Sequence, residues 1–219
     1  NDNEVPIGLE LCEDLWCRDY RCKGEPINIT NILISAGAQK IINLSASPWT
    51  FMKNNARDRR VKFLKEKSKD AFVNYYYVNC VGVQNNGKNI ITFDGSFTVY
   101  NDNGDPCIFS SKGWNEDLII VDSTSVFESK TRKTGNRIQE KYKAIVNGLK
   151  KSNNILGHNP KFVIGLSGGI DSSLVAALLV LAFGKENVIG VNMPSQYNSN
   201  KTKESAKMLA ENLGIKYLI

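Results

Sequence analysis

The sequence predicts an α/β protein made of two parts with different sheet architectures. In the second half, short apolar runs rich in β-branched residues alternate with helical segments, which is typical of a doubly wound open sheet of parallel strands. In the first half, turns rich in glycine and asparagine separate several short strands, which indicates antiparallel pairing. A stretch with little apolar content lies between the two halves.

The first half begins with an apolar run over residues 5–11 that predicts a buried strand. Residues 27–36 have helical spacing, and Gly37 follows as a C-terminal cap. The other predicted segments are a loop over 13–26, a strand over 40–44, a basic amphipathic helix over 57–74, β segments over 75–83, 90–93 and 97–100, and a short apolar run over 118–121 that closes this half.

The second half begins with an amphipathic helix and continues as strands and helices in strict alternation. The predicted segments are a helix over 138–151, a strand over 162–166, a helix over 172–183, a strand over 188–193, a helix over 202–213 and a strand from 216 onward. Gly184 and Gly214 are placed to end the last two helices. In such sheets the ligand lies at the carboxyl ends of the strands, so we expect the loops that follow the first two strands to meet over one nucleotide.

The boundary between the halves is expected in residues 123–136, which are rich in Ser, Thr and Lys. The predicted domains are therefore 1–122 and 137–219, with 123–136 as the linker.

Composition limits the class of protein. An apolar share of 42% and a charged share of 23% are typical of a globular protein, and no apolar run is long enough to cross a membrane. The net charge is +6, but the lysines are spread over many segments, so nucleic acid is an unlikely partner and phosphate-bearing small substrates explain the bias equally well. No signal peptide is visible.

The five cysteines favour reduced thiols and a cytoplasmic location, because the count is odd and the composition is not that of a small disulfide-rich domain. Cys12, Cys17 and Cys22 lack the close pairing of zinc ligands. The only histidine, His158, is far away in sequence, so a zinc site is not expected.

A strand, a glycine turn and a helix follow one another over residues 162–183. The predicted strand ends in Gly165 and Leu166, and the turn reads Ser-Gly-Gly-Ile-Asp-Ser-Ser from Ser167 to Ser173. The start of a helix offers free backbone N–H groups and the positive end of the helix dipole, both of which suit a phosphate. The glycines let the backbone approach the anion closely, and Asp171 is placed to hold a magnesium ion against the phosphates.

This turn matches neither a Walker A loop nor the Gly-x-Gly-x-x-Gly spacing of dinucleotide sites. It resembles the pyrophosphate loop of the ATP pyrophosphatase superfamily, whose members cleave ATP between the α- and β-phosphates and adenylylate an oxygen of the substrate. An ordinary glycine-containing turn between strand and helix is the alternative, but it explains one glycine and not the neighbouring serines and aspartate.

Cys12 is a candidate nucleophile because it follows an apolar strand directly and precedes Glu-Asp-Leu-Trp. A cysteine at a strand-to-loop turn is exposed at the sheet edge, where a nucleophile is useful. Taken alone, a cysteine after an apolar strand is more often a small buried hydrophobic residue.

The surrounding motifs resemble, in order, the nitrilase-type amidohydrolase domain of glutamine-dependent NAD synthetases. They are Cys-Glu-Asp-Leu-Trp from Cys12, Asn-Leu-Ser-Ala-Ser-Pro from Asn43, the single Asn79, and Phe-Asp-Gly-Ser from Phe93. In the second half, residues 188–195 and 206–215 look like the synthetase domain of the same enzymes. The resemblance implies that the chain is the C-terminal part of a nitrilase-like αββα sandwich followed by a truncated doubly wound domain like that of the adenine nucleotide α-hydrolases.

The resemblance also implies residue roles. Cys12 would be the nucleophile that attacks the side-chain amide of glutamine, with Glu13 supporting the site and Ser47 and Lys53 binding glutamine. A surface lysine is the alternative for Lys53. The implied ATP-binding residues are Gly165, Leu166, Ser167, Gly168, Gly169, Asp171, Ser172, Ser173 and Ser195, with Asp171 as the Mg²⁺ ligand.

The implied reaction transfers ammonia from glutamine to nicotinic acid adenine dinucleotide that ATP has adenylylated.

Thr202 has two interpretations, a contact near the adenylate or only a helix N-cap. The family also implies a homo-oligomer.

The sequence departs from the family at both ends. Nitrilase-type sites take a glutamate and a lysine from segments before the cysteine, and only eleven residues precede Cys12, none of them a lysine. We expect that the chain is part of a longer polypeptide and that a polypeptide with these termini catalyses neither half-reaction. Alternatives are another ATP pyrophosphatase-type amidotransferase such as GMP synthetase, a tRNA-modifying adenylylating enzyme, and a non-catalytic remnant.

Overall fold

The structure is a computed structural model that describes residues 4–16, 27–68, 71–110, 112–122, 124–133, 135–157, 160–196 and 199–219. Its contacts divide the chain into two compact units. The first comprises Asn1–Gly82 and Ile91–Glu140, and the second comprises Val83–Ile90 and Lys141–Ile219. The predicted α/β class is confirmed, and each unit has its own sheet.

Strands and helices alternate at the beginning of the first unit and antiparallel strands follow. The elements are β1 (Ile7–Leu11), α1 (Ile29–Ser35), β2 (Lys40–Ser45), α2 (Lys53–Lys67), β3 (Asn74–Asn79), β4 (Val81–Asn85), β5 (Ile90–Asp94), β6 (Thr98–Tyr100) and β7 (Pro106–Phe109). The five-stranded sheet has the order β1-β2-β3-β6-β7, in which the first three strands are parallel and β6 and β7 are antiparallel. Strands β4 and β5 pair separately, and their residues 83–85 and 90 are grouped with the second unit.

One face of the five-stranded sheet is covered by α1 and α2. Ile34 from α1 and Leu64 from α2 join Ile41 and Tyr75 of the sheet in one buried cluster. Side chains on a strand alternate between faces, so every second residue of β2 and β3 enters this core. The parallel strands therefore end at the same edge, where the segments after β1, β2 and β3 meet.

Strand β1 corrects the expectation of a buried strand. Its apolar residues Ile7, Leu9 and Leu11 are 51%, 62% and 68% exposed, whereas Gly8 and Glu10 face α1. A Cβ at position 8 would lie 2.6 Å from Cδ1 of Ile41, so a larger residue there would require the side chain of Ile41 to shift. An apolar run identifies a strand, but it does not say which face the rest of the fold covers.

Several other boundaries differ from the predicted ones. The segment predicted as a loop begins with a 3₁₀ turn over Cys12–Trp16. Residues 17–26, which include Cys17 and Cys22, lie outside the described residues, and so does His158. The long basic helix runs over Lys53–Lys67 and not over 57–74. Strand β7 was not predicted, and residues 118–121 form no strand, with Leu118 88% exposed.

The second unit has the predicted alternation. Helix α3 (Arg137–Leu156) leads to β8 (Phe162–Gly165), α4 (Ile170–Phe183), β9 (Val188–Val191), α5 (Asn200–Leu213) and β10 (Lys216–Leu218). The three strands are parallel in the order β10-β9-β8. Leu166, Leu179 of α4 and Ala206 of α5 lie in its buried core, so α4 and α5 pack against the sheet.

None of the helices in the described part of the chain combines the length and the apolar run that crossing a bilayer requires.

Candidate functional site

Cys12 lies at the carboxyl end of β1 in an unusual backbone conformation. Its φ angle is +32°, which residues other than glycine rarely adopt, and its side chain is partly exposed. The turn is held by Asp14, whose Oδ2 accepts the backbone N–H of Leu11 at 2.8 Å, and by Leu15, which is fully buried. The structure therefore places Cys12 on a sharp strand-to-turn transition, as expected, and strained positions of this kind cluster at functional sites.

Lys53 holds the loop that follows β2. Its ammonium group donates to the carbonyl oxygens of Ser47 and Pro48 at 2.8 and 3.0 Å and to Oδ1 of Asp94 at 2.9 Å. Lys53 and Asp94 are 8% and 4% exposed, so this is a buried ion pair. The alternative of a surface lysine is wrong, because α2 begins at Lys53 and directs its first side chain inward.

The three donor positions of the Lys53 ammonium group are engaged by these contacts. Burial lowers the pKa of Lys53, and the carboxylate of Asp94 opposes this effect most strongly, with a smaller contribution from Cys12. The cysteine therefore lies within electrostatic reach of the lysine. A direct contact between Lys53 and a glutamine carboxylate stays a prediction, because it would compete with bonds already made inside the protein.

Ser47 is held from both sides by Asn79, which ends β3. Its backbone N–H donates to Oδ1 of Asn79 at 2.8 Å, and its carbonyl accepts from Nδ2 of Asn79 at 3.1 Å. Asp94 also accepts from Ser96 at 2.9 Å. The segments after β2, β3 and β5 are thus joined in one network near Cys12.

Two network members, Asn79 and Asp94, were not predicted as site residues. Both belong to the segments that carry the family resemblance, so the motif was the available signal. Glu13, which was predicted to support the site, has an exposed side chain on the 3₁₀ turn, and no hydrogen bond from it is recorded within the described residues.

An open cavity of about 510 Å³ adjoins this network. Ser47 and Lys53 line it together with Trp16 and Arg59. Its size lies in the range of small-molecule sites, and its lining combines aromatic surface with a few polar groups.

In the second unit, the loop between β8 and α4 brings together the serines and glycines of the predicted ATP site. Gly168 has a φ angle of +82°, and a Cβ at this position would overlap the carbonyl oxygen of Thr202 at the start of α5. Only glycine meets both conditions. The loop is therefore packed directly against the first turn of the neighbouring helix.

Hydroxyl groups surround the start of α4. The Oγ atoms of Ser167 and Ser172 are 3.1 Å apart, and Oγ of Ser173 donates to the carbonyl of Gly169 at 2.7 Å. The backbone N–H of Gly169 donates to Ser167 at 3.3 Å. Asp171 is exposed in the first turn of the helix. This arrangement presents hydroxyls, backbone N–H groups and the helix dipole to an anion.

The contact of Leu166 with ATP stays a prediction, and the structure gives its side chain a place in the core. Its side chain is 1% exposed in the core of the second unit, and its N–H donates to the carbonyl of Val191 at 2.8 Å. The structure therefore makes Leu166 a core residue that anchors the loop. Gly165 lies at the end of β8, and Ser195 is exposed in the segment after β9, so both lie at carboxyl ends of strands, as expected.

Thr202 is not the N-cap of α5. Ser199 takes that position, and its hydroxyl accepts the backbone N–H of Thr202 at 3.3 Å.

The residues at the start of α4 fit a magnesium ion that a nucleotide brings with it. Within the described residues, no group of three or more His, Cys, Asp and Glu side chains is placed to hold a metal ion. Magnesium at nucleotide sites typically uses one or two carboxylates together with phosphate oxygens. Asp171 supplies one such carboxylate.

The fold and the two sites define a class: an α/β protein that combines a strand-end cysteine site with a serine- and glycine-rich loop at a helix N-terminus. The NAD synthase family model matches residues 141–219. The chain is 37% identical over 221 residues to the glutamine-dependent NAD(+) synthetase of Synechocystis sp., covering 96% of this chain and 38% of that relative. For the enzyme of the same name from Thermotoga maritima, the identity is 33% over 252 residues, covering 98% and 41%.

Solved structures agree with these relatives. The glutamine-dependent NAD+ synthetase from Acinetobacter baumannii, solved in complex with ADP, superposes with a TM-score of 0.77 at 28% identity, covering 97% of this chain and 38% of that one. The chain is therefore similar to glutamine-dependent NAD(+) synthetases over nearly all of its own length, and it spans about two fifths of the length of the curated relatives named here.

Proposed function

We propose that the protein amidates nicotinic acid adenine dinucleotide to NAD, using ATP and ammonia released from glutamine. The products would be NAD, AMP, pyrophosphate and glutamate. One observation carries this proposal: a strand-end cysteine at positive φ and a Ser-Gly-Gly loop at a helix start occur in one chain. The first suits release of ammonia from glutamine, and the second suits activation of a carboxylate by ATP.

In the first unit, the thiolate of Cys12 would attack the carboxamide carbon of glutamine. Ammonia leaves as the thioester forms, and water then releases glutamate. Ser47 would contact the glutamine, while Asn79 holds the backbone N–H and carbonyl of Ser47. We assign Lys53 the additional task of fixing this loop through Asp94, since its ammonium group is bonded to both sides of the site.

In the second unit, the loop would hold the phosphates of ATP. The backbone at Gly168 and Gly169 and the hydroxyls of Ser167, Ser172 and Ser173 would face the leaving pyrophosphate, while Ser195 approaches from the end of β9. Asp171 would hold Mg²⁺, which neutralises phosphate charge when it is bound. The carboxylate of the dinucleotide would attack the α-phosphorus, and ammonia would then displace AMP.

The finer description of the folds is part of the same proposal. A sheet covered by helices on one face and apolar on the other supports the C-terminal part of a nitrilase-like αββα sandwich in the first unit. Three parallel strands connected by helices support an adenine nucleotide α-hydrolase-like domain in the second. We further propose domain limits at 1–122 and 137–219, a homo-oligomer, and a cytoplasmic location in keeping with the free thiols of Cys12, Cys80 and Cys107.

The test is an assay of the complete protein with ATP, nicotinic acid adenine dinucleotide and either glutamine or ammonium. The wild-type protein is expected to use both nitrogen donors. Cys12→Ala is expected to lose activity with glutamine and keep activity with ammonium, whereas Asp171→Ala is expected to lose both. If Cys12→Ala used glutamine at the wild-type rate, the assignment of Cys12 as the nucleophile would be wrong. If neither donor supported NAD formation by the wild type, the proposed function would fail.

A further inference from the structure

A chain of buried polar contacts connects the segment before α3 with the loop predicted to bind glutamine. It begins at Arg132, whose Nε and Nη2 donate to Oδ2 and Oδ1 of Asp58 at 2.8 and 3.1 Å. Both side chains are mostly buried, with 17% and 16% of their surface exposed. The guanidinium of Arg132 also lies over the ring of Phe109, 4.3 Å from its centroid. This bidentate contact fixes the segment before α3, here called the connecting segment, against α2 and β7.

The next link is Tyr100. Its hydroxyl donates to Oδ1 of Asp58 at 2.7 Å and accepts from Nε of Arg57 at 2.9 Å. Thr98 accepts from both guanidinium groups, from Arg57 at 2.9 Å and from Arg132 at 3.1 Å. Thr98 therefore contacts both arginines directly, and Tyr100 connects Arg57 to Asp58, the carboxylate that holds Arg132.

Arg57 transmits the arrangement to β3. It is fully buried, and its guanidinium lies over the ring of Tyr77 at 3.9 Å from the centroid. Its Nη1 atom has no hydrogen-bond partner within the described residues, so the orientation of the group rests on Tyr100 and Thr98. Losing either contact would leave a further donor of this buried charged group without a hydrogen-bond partner, which is costly.

The chain ends at Ser47. Tyr77 lies on β3 two residues before Asn79, whose side chain bonds the backbone N–H and the carbonyl of Ser47 at 2.8 and 3.1 Å. Residues two positions apart share one face of a strand, so Asn79 connects the position of Tyr77 to the loop that lines the cavity beside Lys53. Every link from Arg132 to Ser47 lies within the first unit.

We propose that Arg132 and Asp58 are positioning residues for glutamine, acting through Tyr100, Arg57 and Tyr77 on the loop that contains Ser47. This inference rests on the proposed glutaminase activity. It makes glutamine binding depend on the seating of the connecting segment, because the bidentate contact with Asp58 fixes the hydroxyl that orients Arg57.

The test uses Arg132→Gln in the complete protein, with KM and kcat measured for glutamine and for ammonium. Losing a charge-assisted, bidentate contact is expected to raise the KM for glutamine about tenfold. The rate with saturating ammonium should stay at the wild-type level, which loss of the whole fold would not allow. Lys133→Gln is the matched control, because it removes the same charge from an exposed side chain one residue away and should change neither KM.

Tyr100→Phe is the second variant, because it breaks the middle of the chain without changing any charge. It should raise the KM for glutamine, and combining it with Arg132→Gln should add little, since both act on one path. An unchanged KM for glutamine in Arg132→Gln, or an equal loss with both nitrogen donors, would overturn the positioning role. In those cases the wild type would still use glutamine, so the proposed function would stand. A wild type inactive with glutamine would overturn both.

Discussion

The cysteine site of the first unit is assembled from distant segments, whereas the loop of the second unit is one continuous run. Ser47 follows β2, whereas Asn79 ends β3 and Asp94 ends β5. Lys53 from α2 bonds Ser47 and Asp94, and Asn79 bonds Ser47. In the second unit, most of the predicted contacts lie in the continuous run from Gly165 to Ser173, and Ser195 comes from the segment after β9. The first site depends on side-chain pairing between segments, and the second depends on backbone geometry, so the two should fail in different ways.

The largest expected effect is that of Gly168→Ala in the complete protein. Alanine at a φ of +82° is strained by about 1–2 kcal/mol, and its Cβ would also overlap the carbonyl of Thr202. We expect at least a roughly tenfold loss of NAD formation with either nitrogen donor. Gly113→Ala is the control, because its Cβ would meet open space and its φ is not positive. Wild-type activity in Gly168→Ala would show that the loop does not need this conformation.

The second largest effect is a loss of stability in the first unit, with an exposed ion pair of the second unit as the contrast. Removing one partner of the buried pair with Lys53→Met leaves Asp94 uncompensated, which typically costs about 3–5 kcal/mol. Chemical unfolding monitored through the first unit should show this loss. The exposed pair Lys207 and Glu211 provides the contrast, because Lys207→Met should change stability by less than about 1 kcal/mol.

The double variant Lys53→Met with Asp94→Leu should recover part of the lost stability, because no charge is then left buried without a partner. It should not recover activity with glutamine, since the carbonyls of Ser47 and Pro48 still lack their donor. Equal stability of the single and double variants would contradict the importance of the ion pair.

The smallest expected effect is the pH dependence caused by Glu10. This carboxyl group is fully buried and accepts from Thr30 at 2.5 Å and Tyr75 at 2.6 Å. Burial raises its pKa above the ordinary value of 4.5, and the hydrogen bonds from Thr30 and Tyr75 only partly oppose this. The folded protein then holds the proton longer than the unfolded chain as the pH rises. The stabilising contribution is therefore complete below about pH 4.5 and is lost as the pH rises through the folded-state pKa.

Glu10→Gln should remove this decline in stability with rising pH, because the glutamine side chain has the same shape and cannot ionise. The measurement is the free energy of unfolding in urea at several pH values between 4 and 8, as the difference between variant and wild type. Glu66→Gln, an exposed position on α2, is the control and should leave the pH profile unchanged. The same profile in Glu10→Gln and the wild type would contradict the assignment.

Local patterns predicted the second unit well. Its strands and helices follow from apolar periodicity with glycines at the helix ends, and the observed order β10-β9-β8 connects consecutive strands through helices, as expected. Leu166 was predicted only as an ATP contact, but its side chain belongs to the core, and a residue inside a binding motif can have either use. Periodicity cannot distinguish these two uses.

The first unit was less predictable. The start of α2 at Lys53 was missed because the preceding segment has no apolar period, and the helix begins after Met52 at a φ of +66°. Strand β1 was identified, but its apolar residues lie on the exposed face. The ion pair between Lys53 and Asp94 joins residues 41 positions apart, and no sequence pattern marks such a contact.

The sequence by itself determined the α/β class, the position of Cys12 after a strand, and the Ser-Gly-Gly loop at the start of a helix. These features depend on neighbours within a few residues, where backbone geometry and side-chain spacing act directly. Only the tertiary structure decided that Lys53 is buried, that Gly168 packs against Thr202, and that Arg132 is tied to Asp58. Each of these contacts joins segments far apart in the chain, and their partners are chosen by packing and by the need to pair buried polar groups.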